Sequence, residues 1–243
     1  MTRLDRPQDG WLVNLGQTNY RQVLDLQHRL VQLRRENHVP DILLLVEHDP
    51  VITMGRRVNY EHVLASPRQL AAEGIEIVHA ERGGSVTYHG PGQLVSYPIV
   101  HLSQRKLGVR TFIHLLEEII IRTLARFAIP ARRHPEHRGV WVQGQKVASV
   151  GVAIRHWVSF HGLALNVSPN LDHFCYISPC GLKHELVTSM TELLDNPPDM
   201  EVVRNLVAEK FCRFFPELWK KVSSGQLVET AKYGGMHRFP RGW

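Results

Sequence analysis

The sequence is short of the features that mark secreted or membrane proteins. Cysteine occurs three times in 243 residues, as Cys175, Cys180 and Cys212. So few thiols, in an odd number, cannot build a disulfide framework, and a reducing, cytoplasmic setting is expected. No apolar run approaches the ~20 residues that span a bilayer, and the stretch 42–46 is only strand-sized. The opening residues, Met1-Thr2-Arg3-Leu4-Asp5-Arg6-Pro7, hold no signal-like apolar stretch. Several catalytic signatures are missing as well. There is no Gly-Lys-Ser/Thr loop, no Gly-x-Gly-x-x-Gly, no Gly-x-Ser-x-Gly, no His-Glu-x-x-His and no paired Cys-x-x-Cys. Phosphate-loop, dinucleotide, serine-hydrolase and zinc chemistry therefore have no support in the sequence. His134-Pro135-Glu136-His137 is a weak pair, because Pro135 disfavours a helix presenting both rings together.

The net charge of +6 comes from 29 Lys and Arg against 23 Asp and Glu. The basic residues are scattered, with no basic helix or aromatic RNA-binding signature, so no nucleic-acid partner is expected. A modest positive excess is compatible with an acidic protein partner. With 43% hydrophobic and 21% charged residues, the chain is long enough to bury its own core.

Apolar spacing predicts a helix over 20–36, then short strands at 41–47 and 51–54, and another at 75–79. A strand is expected at 94–100, and Thr111 is placed to cap a helix reaching residue 127. Segments 140–142 and 146–154 flank Gln143-Gly144-Gln145, a hairpin pattern, and one or two extended segments follow over 156–167. Asp199 is placed to cap a helix ending near residue 215. Interleaved helices and strands give an α/β (α+β) fold. One domain over 1–222 is expected, with 223–243 as a weakly patterned, loosely held tail.

Three features carry possible chemistry. The run Arg82-Gly83-Gly84-Ser85-Val86-Thr87-Tyr88-His89-Gly90-Pro91-Gly92-Gln93 is dense in glycine, which suits either a twisted turn or a loop approaching a ligand. Cys180 lies between Pro179 and Gly181, a setting that can present a thiol at a turn, although most free cysteines are inert core residues. Cys175, five residues earlier, is a rival on sequence grounds, whereas Cys212 falls in an amphipathic helix pattern. A thiol with a pKa of ~8.5 needs a neighbouring charge or base to act as a nucleophile. Lys146 is the candidate, heading a face that continues as Ala148, Val150 and Val152. A lysine there can equally snorkel to water.

At these residues the chain resembles the lipoyl(octanoyl) transferases of the biotin/lipoate protein ligase superfamily. Three blocks carry the likeness: 82–93; Gly139-Val140-Trp141 through Lys146 to Val152; and Ser159 to Asn166 leading to Pro179-Cys180-Gly181-Leu182. Val187-Thr188-Ser189 completes it. The resemblance implies mixed sheets flanked by helices around a narrow acyl tunnel. It implies Cys180 as the acyl-thioester nucleophile and Lys146 as the residue lowering its pKa. The implied substrate site is Arg82, Gly83, Gly84, Ser85, Val86, Thr87, Tyr88 and His89, with Ser149, Val150, Gly151, Gly162, Leu163 and Ala164. The donor would be octanoyl-acyl carrier protein. The acceptors would be lipoyl domains of 2-oxoacid dehydrogenase complexes and the glycine cleavage H protein. Neither metal nor ATP is implied. Two alternatives remain: an ATP-dependent lipoate ligase, against which the Pro179-Cys180-Gly181 motif speaks, and a non-catalytic binding module.

Overall fold

The computed structural model describes residues 9–56, 60–178, 186–216 and 218–234. Its layering follows from one run of side chains. Ile42-Leu43-Leu44-Leu45-Val46 open strand β2 (Ile42–His48), with β1 (Gly10–Thr18) beside it. Ile42, Leu44 and Val46 enter one apolar cluster, while Leu43 and Leu45 enter another. Successive strand residues face opposite ways, so a continuous apolar run marks a strand covered on both sides.

β2 lies within an eight-stranded sheet. Its later members are β6 (Gln93–Ile99), β7 (Arg132–Arg133), β8 (Val140–Val142), β9 (Gln145–Arg155), β10 (Val158–Asn166) and β11 (Trp219–Lys221). The order is β11-β1-β2-β6-β10-β9-β8-β7, parallel across β11-β1-β2 and antiparallel beyond. Three shorter strands, β3 (Val51–Met54), β4 (Glu76–His79) and β5 (Val86–His89), form a separate sheet in the order β4-β3-β5.

Helices α1 (Tyr20–Arg35) and α6 (Ser224–Tyr233) supply the cluster on one face of the large sheet, through Val23, Leu30, Leu33 and Leu227. On the other face α3 (Val109–Ala125) and α5 (Met200–Phe214) contribute Phe112, Leu116, Ile120, Val207 and Phe211. Two shorter helices are α2 (Pro67–Ala72) and α4 (Met190–Leu193).

The helix expected over 20–36 forms because Asn19 caps it, its side chain accepting from the Arg21 and Gln22 backbone N–H groups. Thr111 does not cap α3. That helix begins two residues earlier, after Gly108, which lets the fully buried Phe112 face the sheet. Asp199 does occupy the N-cap position of α5, but its side chain makes no capping bond.

Within the segment expected to be loosely held, 235–243 lie outside the described residues, while Ser224–Tyr233 form α6. A capping box at Ser223 starts it, Leu227 is 0% exposed, and Arg29 on α1 donates to the carbonyls of Ala231 and Gly234. β1 escapes sequence reading because Gly16 (φ 65°) and a register shift between Asn14 and Gln17 interrupt its alternation.

Candidate active site

The glycine-rich run is where the two sheets touch. Its middle, Val86–His89, is β5, paired with β3; the residues before it form a loop fastened by Arg82, and Gln93 at its end opens β6. The Arg82 guanidinium is buried and donates to Thr53 O (2.6 Å), Thr53 Oγ1 (2.8 Å) and Ser85 O (3.0 Å). The Gly83 N–H donates to Val152 O on β9 at 3.0 Å. The approach is tight opposite Gly151, where a Cβ would lie 3.0 Å from Gly83 O and 3.2 Å from Arg82 Cδ. Arg82 is thus an anchor of the loop as well as part of its wall.

Between the sheets lies a cavity of ≈ 320 Å³. Residues 82–87 and His89 line it, together with Ser149, Val150, Gly151, Gly162, Leu163, Ala164 and Lys146. Antiparallel register explains why two short blocks distant in sequence meet here. Gly162 pairs with Gly151, Leu163 with Val150 and Ala164 with Ser149 on β10 and β9. Tyr88 does not line the cavity. Its hydroxyl bonds His173 Nδ1 at 2.7 Å and its ring packs with Ile52 and Phe174. The polypeptide before and after Cys180 also reaches the cavity, through Phe174, Leu186 and Val187. Cys180 itself lies outside the described residues.

Sequence reasoning missed the polar wall. It is built by Tyr20 at the start of α1, His89 on β5, Tyr97 on β6 and His161 on β10, with His48 on β2 packed against them; ring centroids lie from 5.1 Å apart (Tyr20–His48) to 6.3 Å apart (Tyr97–His161). No spacing in the chain announces these residues, because each comes from a different element. His161 has φ 54°, an uncommon conformation for a non-glycine residue in a strand. Its backbone N–H donates to Gln27 Oε1 at 2.7 Å.

The hydrogen bonds fix the tautomers. His48 Nδ1 donates to Thr18 O (2.8 Å), so its Nε2 accepts from the Tyr97 hydroxyl (2.8 Å). Gln93 Nε2 donates to Asn166 Oδ1 (2.9 Å), which leaves Gln93 Oε1 to accept from His89 Nδ1 (2.6 Å). His89 Nε2 therefore carries a lone pair. Burial pushes His48 down to about 4, and His89 and His161 down to about 3, with the Arg82 charge adding to the effect on the last two. All three rings are neutral at neutral pH. Tyr20 Oη, Ser85 Oγ and His161 Nε2 are buried without a hydrogen-bond partner among the described residues. A polar ligand group or water would satisfy them.

Lys146 stands at the opposite wall, near the start of β9. Its carbonyl accepts from Thr188 N–H at 3.0 Å, and Val187 bridges it in parallel. Asn166 Nδ2 donates to Thr188 O at 2.9 Å, so the chain that follows Cys180 is tied to Lys146 and, through Gln93, to His89. Among the described residues no group of three or more His, Cys, Asp or Glu side chains is arranged to hold a metal ion. His134 and His137 stack on each other at 4.8 Å.

The chain that builds this cavity has known relatives over most of its length. The lipoyl protein ligase A/B catalytic domain matches residues 19–212. The octanoyltransferase of Syntrophobacter fumaroxidans is 46% identical over 87% of this chain and 92% of its own. That of Alkaliphilus metalliredigens is 43% identical over 84% and 94%. The chain belongs to the octanoyltransferase family. It is accordingly an acyltransferase, and the fold agrees. A crystal structure of lipoate-protein ligase A bound with ATP superposes with a TM-score of 0.78, at 17% identity, over 93% of each chain. The bipartite lipoate protein ligase system of Thermoplasma acidophilum gives 0.73 at 16% identity, over 93% of this chain and 91% of its own. At those identities the likeness establishes the biotin/lipoate ligase catalytic fold alone. Among the described residues no helix is long and apolar enough to cross a membrane.

Proposed function

We propose that this octanoyltransferase-family chain takes an octanoyl group from octanoyl-acyl carrier protein and delivers it to a lysine ε-amine of a lipoyl domain, through a thioester on Cys180. The observation that carries the reading is the convergence of Lys146, the paired blocks 149–151 and 162–164, and the flanks of the Cys180 segment on one cavity.

In the first half-reaction the Cys180 thiolate adds to the donor thioester carbonyl. The new carbon–sulfur bond forms, the bond to the carrier's thiol breaks, and Lys146 returns a proton to that leaving thiol. In the second, the lysine amine adds to the acyl-enzyme carbonyl, gives its proton to Lys146, and Cys180 departs as thiolate. Each tetrahedral oxyanion needs donors, for which backbone N–H groups of the glycine-rich wall are candidates. Ser149, Gly151, Gly162 and Ala164 are small enough to leave room for the acyl chain, each fully buried CH₂ being worth about 0.8 kcal/mol. Exchange of one thioester for another is nearly isoenergetic, and amide formation is downhill, so neither ATP nor metal enters the balance. The net positive charge of +6 suits an acidic carrier as donor.

The test is transfer from purified octanoyl-acyl carrier protein to a lipoyl domain in the presence of EDTA and without nucleotide. Modification of the lipoyl-domain lysine is expected at full rate. A strict need for ATP and magnesium would move the chain to the adenylating ligases.

A further inference from the structure

Lys146 does not stand alone on its strand. Its antiparallel partner on β8 is Trp141, and the lysine Nζ lies over the indole, 5.1 Å from the ring centroid. Trp141 is 3% exposed, and its Nε1–H donates to His137 O at 3.3 Å, which pins the ring plane. His134 packs on the same ring at 4.9 Å. The lysine stem passes over Gly139, where a Cβ would sit 3.3 Å from Lys146 Cε and 2.3 Å from Ala148 O. Gly139 is in the left-handed region at φ 120°. The strand pair therefore supplies an aromatic face and a side-chain-free floor for one ammonium group.

We propose that Trp141 is the positioning residue for Lys146, holding the ammonium against its indole face so that the lysine stays charged and fixed at the cavity wall. An aromatic face attracts a cation and does nothing comparable for the neutral amine. Partial burial would otherwise favour the amine. Trp141 opposes that trend and so sets how long Lys146 acts as a charge before it acts as a base. Among the described residues, the other charged or titratable groups packed around the pair are Glu136, His137 and Arg138 on the cavity rim, His134 beside the ring, and His114, which Arg138 Nη1 approaches at 3.4 Å. Buried Glu117 pairs with half-buried Arg133 (3.2 Å) behind Gly139, whose N–H donates to Glu117 at 3.1 Å. Changing the indole leaves the charges of these groups in place, while removing the ring contact of His134 and the hydrogen bond to His137 O.

The experiment measures the protonation midpoint of Lys146 directly, by the pH dependence of its labelling with an amine-reactive anhydride, read by peptide mass spectrometry. Removing the ring in Trp141→Leu is expected to lower the midpoint by about 0.5–1.5 pH units. Trp141→Phe, which keeps a face and most of the volume, should fall between. It carries the test alone if the leucine variant does not fold. An unchanged or raised midpoint in a folded variant would overturn the proposal. A second arm rests on the Cys180–Lys146 reading above: iodoacetamide alkylation of Cys180 should slow in Trp141→Leu at pH values between the two Lys146 midpoints, where wild type retains the ammonium and the variant has lost it. A lowered Lys146 midpoint with unchanged alkylation would support Trp141 as the lysine's seat and count against the coupling of Lys146 to Cys180. An unmoved midpoint counts against Trp141 alone.

Discussion

Replacing Lys146 by alanine is expected to lower turnover by about 10²–10⁴-fold while leaving the fold intact. The magnitude follows from two lost roles. Without the ammonium, a Cys180 thiol reverts toward its ordinary pKa of ~8.5 and is only a few per cent thiolate at neutral pH. Without the amine, the proposed acceptor for the proton of the attacking lysine is lost. The fold should survive because Lys146 is held at its backbone, through the Thr188 N–H and the Val187 bridge, which alanine retains. Lys146→Arg separates the roles, since a guanidinium keeps the charge but does not deprotonate. It should preserve rapid alkylation of Cys180 and still fail in transfer to the amine. Steady-state rates and iodoacetamide kinetics on the two variants check this. Alanine at 146 with unchanged turnover would remove Lys146 from the chemistry.

Acid should unfold this protein abruptly. His48, His89 and His161 are essentially buried and neutral, with folded pKa values depressed to about 4, 3 and 3. In the unfolded chain each returns to about 6.5. The unfolded state therefore binds more protons below that value. The stability these rings confer is complete above pH 6.5 and is lost progressively as the pH falls toward the folded values. Near pH 5 about three protons should be taken up per molecule on unfolding, a slope of about 4 kcal/mol per pH unit. Against a total stability of about 5–15 kcal/mol, one to a few pH units suffices. Urea midpoints measured from pH 7.5 to 4.5 should fall with this slope, and His161→Asn should reduce the uptake by about one proton. A flat profile down to pH 5 would mean that the rings are accessible to protons in the folded state.

Both predictions concern groups that differ in how far the sequence reveals them. Lys146 was legible because it heads an apolar face after a hairpin turn, and Gln143 and Gly144, at φ 49° and 86°, make that turn. The blocks 149–151 and 162–164 were named by family resemblance, and their mutual register is a property of the β9–β10 pairing that no local pattern encodes. The histidine wall is the opposite case. Its rings come from β2, β5 and β10 and are gathered only by tertiary packing, so each looks like an isolated surface or core histidine in the sequence. Trp141 was visible inside a motif, but its role as the partner of Lys146 needs the β8–β9 register. Tertiary packing also shapes the helices: Phe112 is buried near the start of α3, and residues 224–233 of the expected tail pack against α1 as α6.

A covalent acyl-enzyme on Cys180 should be visible by intact-protein mass spectrometry after incubation with octanoyl-acyl carrier protein. Wild type should gain one octanoyl group without nucleotide and lose it when a lipoyl domain is added, as should Cys175→Ala, whose thiol is exposed. Cys180→Ala should gain nothing. An adduct that persists in Cys180→Ala, or none in any variant with a donor proven competent, would contradict the account.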